Sequence, residues 1–192
     1  MTIRAYLVDL DGTLVDTEIA NAKAYSAALA ECGIEVDFDY LLKESKGKNW
    51  RQFLPKILAE HTHADLDPEK IANRKKFLYK SSLNHSAVNQ ALVELLDSSK
   101  NVLKLCLVTT ASSENAHAVL KHHNLTGLFS LIITGDDVLK HKPDPEAYLL
   151  ALSKLNLRPD ECLAFEDSPI GMKSARSAGI QAIGISLPRF LQ

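Results

Sequence analysis

Cysteine is scarce: Cys32, Cys106 and Cys162 are widely spaced and odd in number, which excludes a disulfide framework. Aromatics make up only 6% of the 192 residues. No apolar run approaches the roughly 18 residues of a membrane helix, and no secretory signal is present. Neither sign of charge dominates, because 22 Lys and Arg stand against 24 Asp and Glu for a formal net charge of −2. No global field therefore draws the chain to nucleic acid or to an anionic membrane. These absences read as a reduced, cytoplasmic protein without a nucleic-acid or membrane partner. Also missing are a Walker loop, a dinucleotide glycine fingerprint, a nucleophile elbow and an HExxH zinc helix. What is present, 46% hydrophobic side chains, supports one sizeable core in a single domain or a domain carrying an insertion.

Residues Ile3 to Val8 form a nearly continuous apolar run that stops abruptly at Asp9-Leu10-Asp11-Gly12-Thr13. This is how a buried parallel strand ends in a polar loop, and it predicts a central first strand. Four more strands are expected at Leu103–Val108, Leu128–Ile133, Cys162–Phe165 and Gln181–Ile185. Helical patterns separate them. Ser112 or Ser113 can cap one, Asp144-Pro145-Glu146 reads as N-cap, N1 and first-turn acid of another, and a third runs from about Ser168 to Gly179. Alternating strands and helices mean βα units and a parallel sheet with right-handed crossovers. From Asp16 to Ser86 that alternation stops, and only helical spacing is seen: Ile19, Ala22, Tyr25 and Leu29; Trp50, Phe53, Leu54 and Ile57; and a helix opened by Asp67-Pro68-Glu69. The expectation is an α/β fold of residues 1–15 and 87–192 with a helical cap of residues 16–86 inserted, hinged at Asp16-Thr17 and near Leu83–Asn89.

Open parallel sheets bind ligands beyond the carboxyl ends of their strands. There this sequence places Asp9 and Asp11, then Thr110, the Asp136 to Lys142 segment, and Glu166-Asp167. Clustered carboxylates repel by roughly 4 kcal/mol per close pair at an effective dielectric near 20, so such a set calls for a divalent cation. All-oxygen ligands suit Mg²⁺, which keeps waters and bridges to substrate phosphate. Lys142 and Thr110 add a cation and a donor for phosphoryl oxygens, leaving one carboxylate to attack and another to manage the proton. The i, i+2 spacing lets Asp9 and Asp11 face one phosphorus while Leu10 turns into the core, and Gly12 permits the exit.

Asp9-Leu10-Asp11-Gly12-Thr13-Leu14-Val15-Asp16-Thr17, Val108-Thr109-Thr110, His141-Lys142-Pro143-Asp144-Pro145 and Phe165-Glu166-Asp167-Ser168-Pro169-Ile170-Gly171 resemble, in order and spacing, the four motifs of the haloacid dehalogenase superfamily. More narrowly, the chain resembles members with a small helical cap after the first motif, the group of β-phosphoglucomutase and many small phosphatases. The resemblance implies a three-layer Rossmann-like core with a five-stranded parallel sheet. It implies Asp9 as the nucleophile forming an aspartyl-phosphate, and Asp11 as general acid and later base. Thr110, Ala111 and Lys142 would bind the phosphoryl group. Mg²⁺ would be held by Asp9, the Asp11 backbone carbonyl, Asp167 and Glu166. In the cap, Gly47, Lys48 and Arg51 lie in the stretch that resembles the substrate-reading loop. A general acid at Asp11 favours phosphate esters over halo-acids, since alkoxide leaving groups need the proton more than halide does.

Three departures bear on the choice of reaction. His141 replaces a common glycine, Trp50 stands where the mutase pattern has arginine, and Glu114 where it tends to have lysine. The last two remove cationic partners for a bisphosphate. Hydrolysis of a small phosphorylated metabolite by a monomer or weak homo-oligomer is therefore expected, with a sugar-phosphate mutase or a non-catalytic Mg²⁺/phosphate-binding regulator as the alternatives. Plainer readings apply elsewhere. Asp136 and Asp137 are either partners of Lys142 or a simple loop, His61 with His63 and His122 with His123 read as surface histidines, and the Arg74-Lys75-Lys76 run reads as a solvated helix face.

Overall fold

The computed structural model describes residues 2–46, 48, 50–61 and 65–187. Its elements in chain order are β1 (Ala5–Val8), β2 (Val15–Asp16), α1 (Glu18–Ala30), α2 (Phe38–Ser45), α3 (Trp50–His61), α4 (Pro68–Ser82), β3 (Ala87–Val88), α5 (Gln90–Ser99), β4 (Lys104–Val108), α6 (Ser113–His122), β5 (Leu131–Ile133), α7 (Glu146–Leu155), β6 (Cys162–Glu166), α8 (Pro169–Ser177) and β7 (Gln181–Gly184). Contacts divide the chain into two compact units, Met1–Asp16 with Ala87–Gln192, and Thr17–Ser86. Among the described residues no helix is long and apolar enough to cross a membrane.

The first unit carries the five-stranded sheet in the order β5-β4-β1-β6-β7, every pair parallel. β1 is central, as its apolar run requires, with Ala5, Leu7 and Val8 fully buried. Register aligns Val8 with Leu107 on one side and Phe165 on the other. The strand ends are therefore level, and Asp9 N–H continues the ladder by donating to Phe165 O at 3.0 Å. Helices α7 and α8 cover one face, burying Tyr148, Ala151, Leu155 and Ala175 against Leu7, Cys106 and Ala164.

Helix ends follow the local chemistry. Ser112, Ser168 and Asp67 each accept a backbone N–H of the first turn with their side chains, capping α6, α8 and α4. At α7 the boundary moves by one: the helix begins at Glu146, and Asp144 still caps by accepting Glu146 N–H at 3.0 Å. The expected strand Leu128–Ile133 shortens to Leu131–Ile133, because Leu128 N–H closes a turn onto Leu125 O and Phe129 fills the core. The antiparallel pair β2–β3, two residues each, sits where the chain leaves and rejoins this unit.

Among its described residues the second unit has helices and no strand, with a core of its own built on Leu29, Leu41, Phe53, Leu54, Ile57 and Ile71. Helix α2 was not expected. It buries only Leu41 and is announced mainly by Asp37, whose side chain accepts Tyr40 N–H. Lys75 corrects the reading of a solvated basic face. It shares the buried stripe of α4 with Ile71 and Tyr79, hydrogen-bonds Asn21 Oδ1, and lies 5.0 and 4.3 Å from the ring centroids of Tyr25 and Tyr79.

Candidate active site

The first strand end sets the geometry. After Val8 the chain turns over a fully buried Leu10, whose carbonyl accepts Leu14 and Val15 N–H at 3.0 Å each. Gly12 has φ +85°, and a Cβ built there would stand 2.2 Å from Asp167 Oδ2. Only glycine allows both the backbone conformation and the close approach of Asp167.

Asp9 is held at both oxygens, with Thr13 Oγ1 donating to Oδ2 at 3.1 Å and Lys142 Nζ to Oδ1 at 2.7 Å. Lys142 is buried and its three N–H groups are all engaged, with Asp9, with Val108 O at 2.8 Å and with Glu166 Oε1 at 2.6 Å. Burial opposes the ammonium form, but the carboxylates of Asp9 and Glu166 outweigh it and leave the lysine above its usual range. Its loop is fixed from outside: Glu146 accepts the backbone N–H of Leu139 and Lys140, and Ser174 Oγ donates to Asp144 O at 2.6 Å.

Glu166, at the end of β6, is 0% exposed. Burial and the charge of Asp9 push its carboxyl up to about 7, opposed by Lys142 and by Tyr148, whose hydroxyl donates to Oε1 at 2.5 Å. The other oxygen, Oε2, is buried without a hydrogen-bond partner. It points to Gly171 in the first turn of α8, where a Cβ would lie 1.9 Å away. One carboxylate oxygen from each of Asp9, Glu166 and Asp167 lies within 4.8 Å of the other two. Three clustered carboxylates, one of which also carries an unpartnered buried oxygen, fit a hard divalent cation.

The remaining residues fall as follows. Asp11 is half-buried and forms an isolated bridge with Val15. Thr110 is exposed just past β4, Ala111 N–H donates to Thr109 Oγ1 at 3.0 Å, and the Lys142-Pro143 peptide is cis. Asp136 and Asp137 lie in a single 3₁₀ turn, Gly135–Asp137, where the first accepts Ser113 N–H, and the second accepts both the N–H and the hydroxyl of Thr134 in a capping box. His141 is exposed. Within the second unit, Lys48 is exposed and pairs with Glu44 at 3.3 Å, Arg51 lies 4.2 Å from the Trp50 ring centroid, and Gly47 lies outside the described residues, as does His63.

Sequence reasoning missed Thr13, Tyr148 and Gly171. Tyr148 occupies the apolar stripe of α7 and reads as core. The available signal was a hydroxyl at a position due for full burial, which demands a partner.

Comparison with known proteins supplies the family. Residues 6–185 match the haloacid dehalogenase-like hydrolase family. The chain is 31% identical over 181 residues to the fructose-1-phosphate phosphatase YqaB of Escherichia coli K12, covering 94% of this chain and 95% of that protein. It is 33% identical over 185 residues to a phosphorylated carbohydrates phosphatase of Thermotoga maritima, covering 94% and 84%. The crystal structure of CbbY from Rhodobacter sphaeroides in complex with phosphate superposes with a TM-score of 0.83 at 26% identity, covering 100% of this chain and 90% of that one. With the match running from the central strand to the residue after β7, the chain belongs to the haloacid dehalogenase-like hydrolases.

Proposed function

We propose that the protein is a Mg²⁺-dependent phosphatase that hydrolyses a small phosphate monoester, of the sugar-phosphate class, through an aspartyl-phosphate on Asp9. The observation that carries this reading is Lys142 Nζ bridging Asp9 and Glu166 at 2.7 and 2.6 Å with Asp167 alongside. The phosphatases named among the relatives support the choice of substrate class.

In the first half-reaction a carboxylate oxygen of Asp9 forms a bond to phosphorus as the ester P–O bond breaks, and Asp11 gives its proton to the departing alkoxide. Asp11, now a carboxylate, takes a proton from water. The water oxygen then attacks phosphorus, releasing inorganic phosphate and restoring Asp9. Thr13 and Lys142 fix the attacking carboxylate in place, which lowers the entropic part of the barrier. Thr110, Ala111 N–H and Lys142 donate to the phosphoryl oxygens, Ala111 N–H on leaving Thr109 Oγ1, and a phosphoryl oxygen reaching Lys142 takes the place of one of its present acceptors. Asp9, Asp167, Glu166 and the Asp11 carbonyl would hold Mg²⁺, which supplies positive charge against the carboxylates and the developing phosphoryl charge.

The test is phosphate release from a panel of sugar phosphates and other monophosphates, with and without Mg²⁺, for wild type and Asp9→Asn. The reading expects Mg²⁺-dependent release by wild type alone. Equal inertness of both proteins across the panel would refute it.

A further inference from the structure

We propose that Tyr148 is a positioning residue: its hydroxyl saturates Oε1 of Glu166 together with Lys142, so that Oε2 is the single carboxylate oxygen Glu166 offers to a divalent cation or its bound water. The inference rests on the Mg²⁺-dependent reading above.

A free carboxylate presents two equivalent oxygens, each with two acceptor sites. Here they are made unequal. Oε1 receives Tyr148 Oη–H at 2.5 Å and Lys142 Nζ at 2.6 Å, while Oε2 receives nothing and is sealed from solvent. The pinning group is rigid. Tyr148 is 0% exposed, it packs in the same core cluster as Leu7, Cys106 and Ala164, and it sits on α7, whose start is capped by Asp144. Its ring also lies 5.4 Å from Lys142 Nζ, so one side chain touches both the cation and the acid of the site. Gly171 leaves room for the carboxylate, since a Cβ there would stand 1.9 Å from Oε2. A packing role alone would be met by phenylalanine. What phenylalanine cannot supply is the donor that stops the Glu166 carboxylate rotating toward Lys142 with either oxygen.

Partners that orient a metal-binding carboxylate typically change affinity or activity by about 10–100-fold when removed. Tyr148→Phe keeps the ring and removes the donor. With para-nitrophenyl phosphate as substrate, kcat should fall about tenfold or more while KM stays within about twofold, and calorimetric titration with MgCl₂ should show binding weakened about tenfold. A Tyr148→Phe protein with wild-type kcat and wild-type Mg²⁺ affinity would overturn the inference. The double variant Tyr148→Phe/Glu166→Gln supplies an independent readout, free of any buried glutamate charge. If Tyr148 acts through Glu166, the double variant matches Glu166→Gln in both kcat and Mg²⁺ affinity. A double variant that is a further tenfold worse assigns the hydroxyl another role and also overturns the inference. Wild-type protein that neither binds Mg²⁺ nor turns over would remove the underlying reading instead, and the inference with it.

Discussion

Replacing Gly171 by alanine should destabilise this protein, although in an ordinary helix the same change gains roughly 0.5–1 kcal/mol. The reason is the space that Glu166 occupies. A Cβ at position 171 would lie 1.9 Å from Glu166 Oε2, 2.3 Å from Cδ and 2.6 Å from Oε1. To reach ordinary van der Waals contact at 3.4 Å, the carboxylate must retreat by about 1.5 Å. The bonds that Oε1 accepts from Lys142 and Tyr148, at 2.6 and 2.5 Å, cannot both survive that displacement. Hydrogen bonds to charged groups are worth about 1.5–3 kcal/mol each, so the loss of both, offset by the helix gain, leaves a destabilisation of about 2–5 kcal/mol. The assay is urea unfolding at pH 8 without divalent metal, comparing midpoints at unchanged m-value. Gly184→Ala is the control, because a Cβ there meets nothing within 4 Å. A Gly171→Ala protein as stable as wild type would refute this account of the Glu166 pocket.

Two further outcomes follow from the same structure. Burial and Asp9 raise the Glu166 carboxyl from its usual 4.5 to about 7. Between those values native protein therefore binds a proton that the unfolded chain has released, so metal-free protein should lose stability as pH rises across this window. Denaturation midpoints taken across that range should show the slope in wild type and its loss in Glu166→Gln; an unchanged slope in the variant would contradict the assignment. In the helical unit, Lys75→Ala should cost about 1–3 kcal/mol through its contacts with Tyr25 and Tyr79, whereas the neighbouring exposed Lys76→Ala should stay within about 0.5 kcal/mol. Equal effects of the two substitutions on thermal unfolding would contradict the burial of Lys75.

The fold was legible where local and global signals agree. The apolar run before Asp9 specified a buried central strand because it is short, unbroken and cut off by polar turn residues. Ser112, Ser168 and Asp67 marked their helix starts because capping is decided within one turn of chain. Less legible were features that depend on what a helix face meets. Helix α2 is only eight residues long and buries a single leucine, and Phe129 is apolar because it fills the core rather than because it pairs. At the site, residue type and position at strand ends brought out Asp9, Lys142, Glu166 and Asp167, and the structure brings these four together. Tyr148, Lys75 and the full burial of Glu166 were hidden for one physical reason. A polar group on an apolar stripe looks like core, or like an exposed exception, until its partner from a distant part of the chain is in place.

The central claim is that the carboxylate held by Thr13 and Lys142 becomes covalently phosphorylated. Protein acid-quenched during turnover of a phosphate monoester with Mg²⁺, then digested and analysed by mass spectrometry, tests it most directly. The account predicts one phosphoryl group on the peptide bearing Asp9, at that residue, and none in Asp9→Asn. Steady turnover with no phosphoryl group on Asp9, or turnover undiminished in Asp9→Asn, would contradict it.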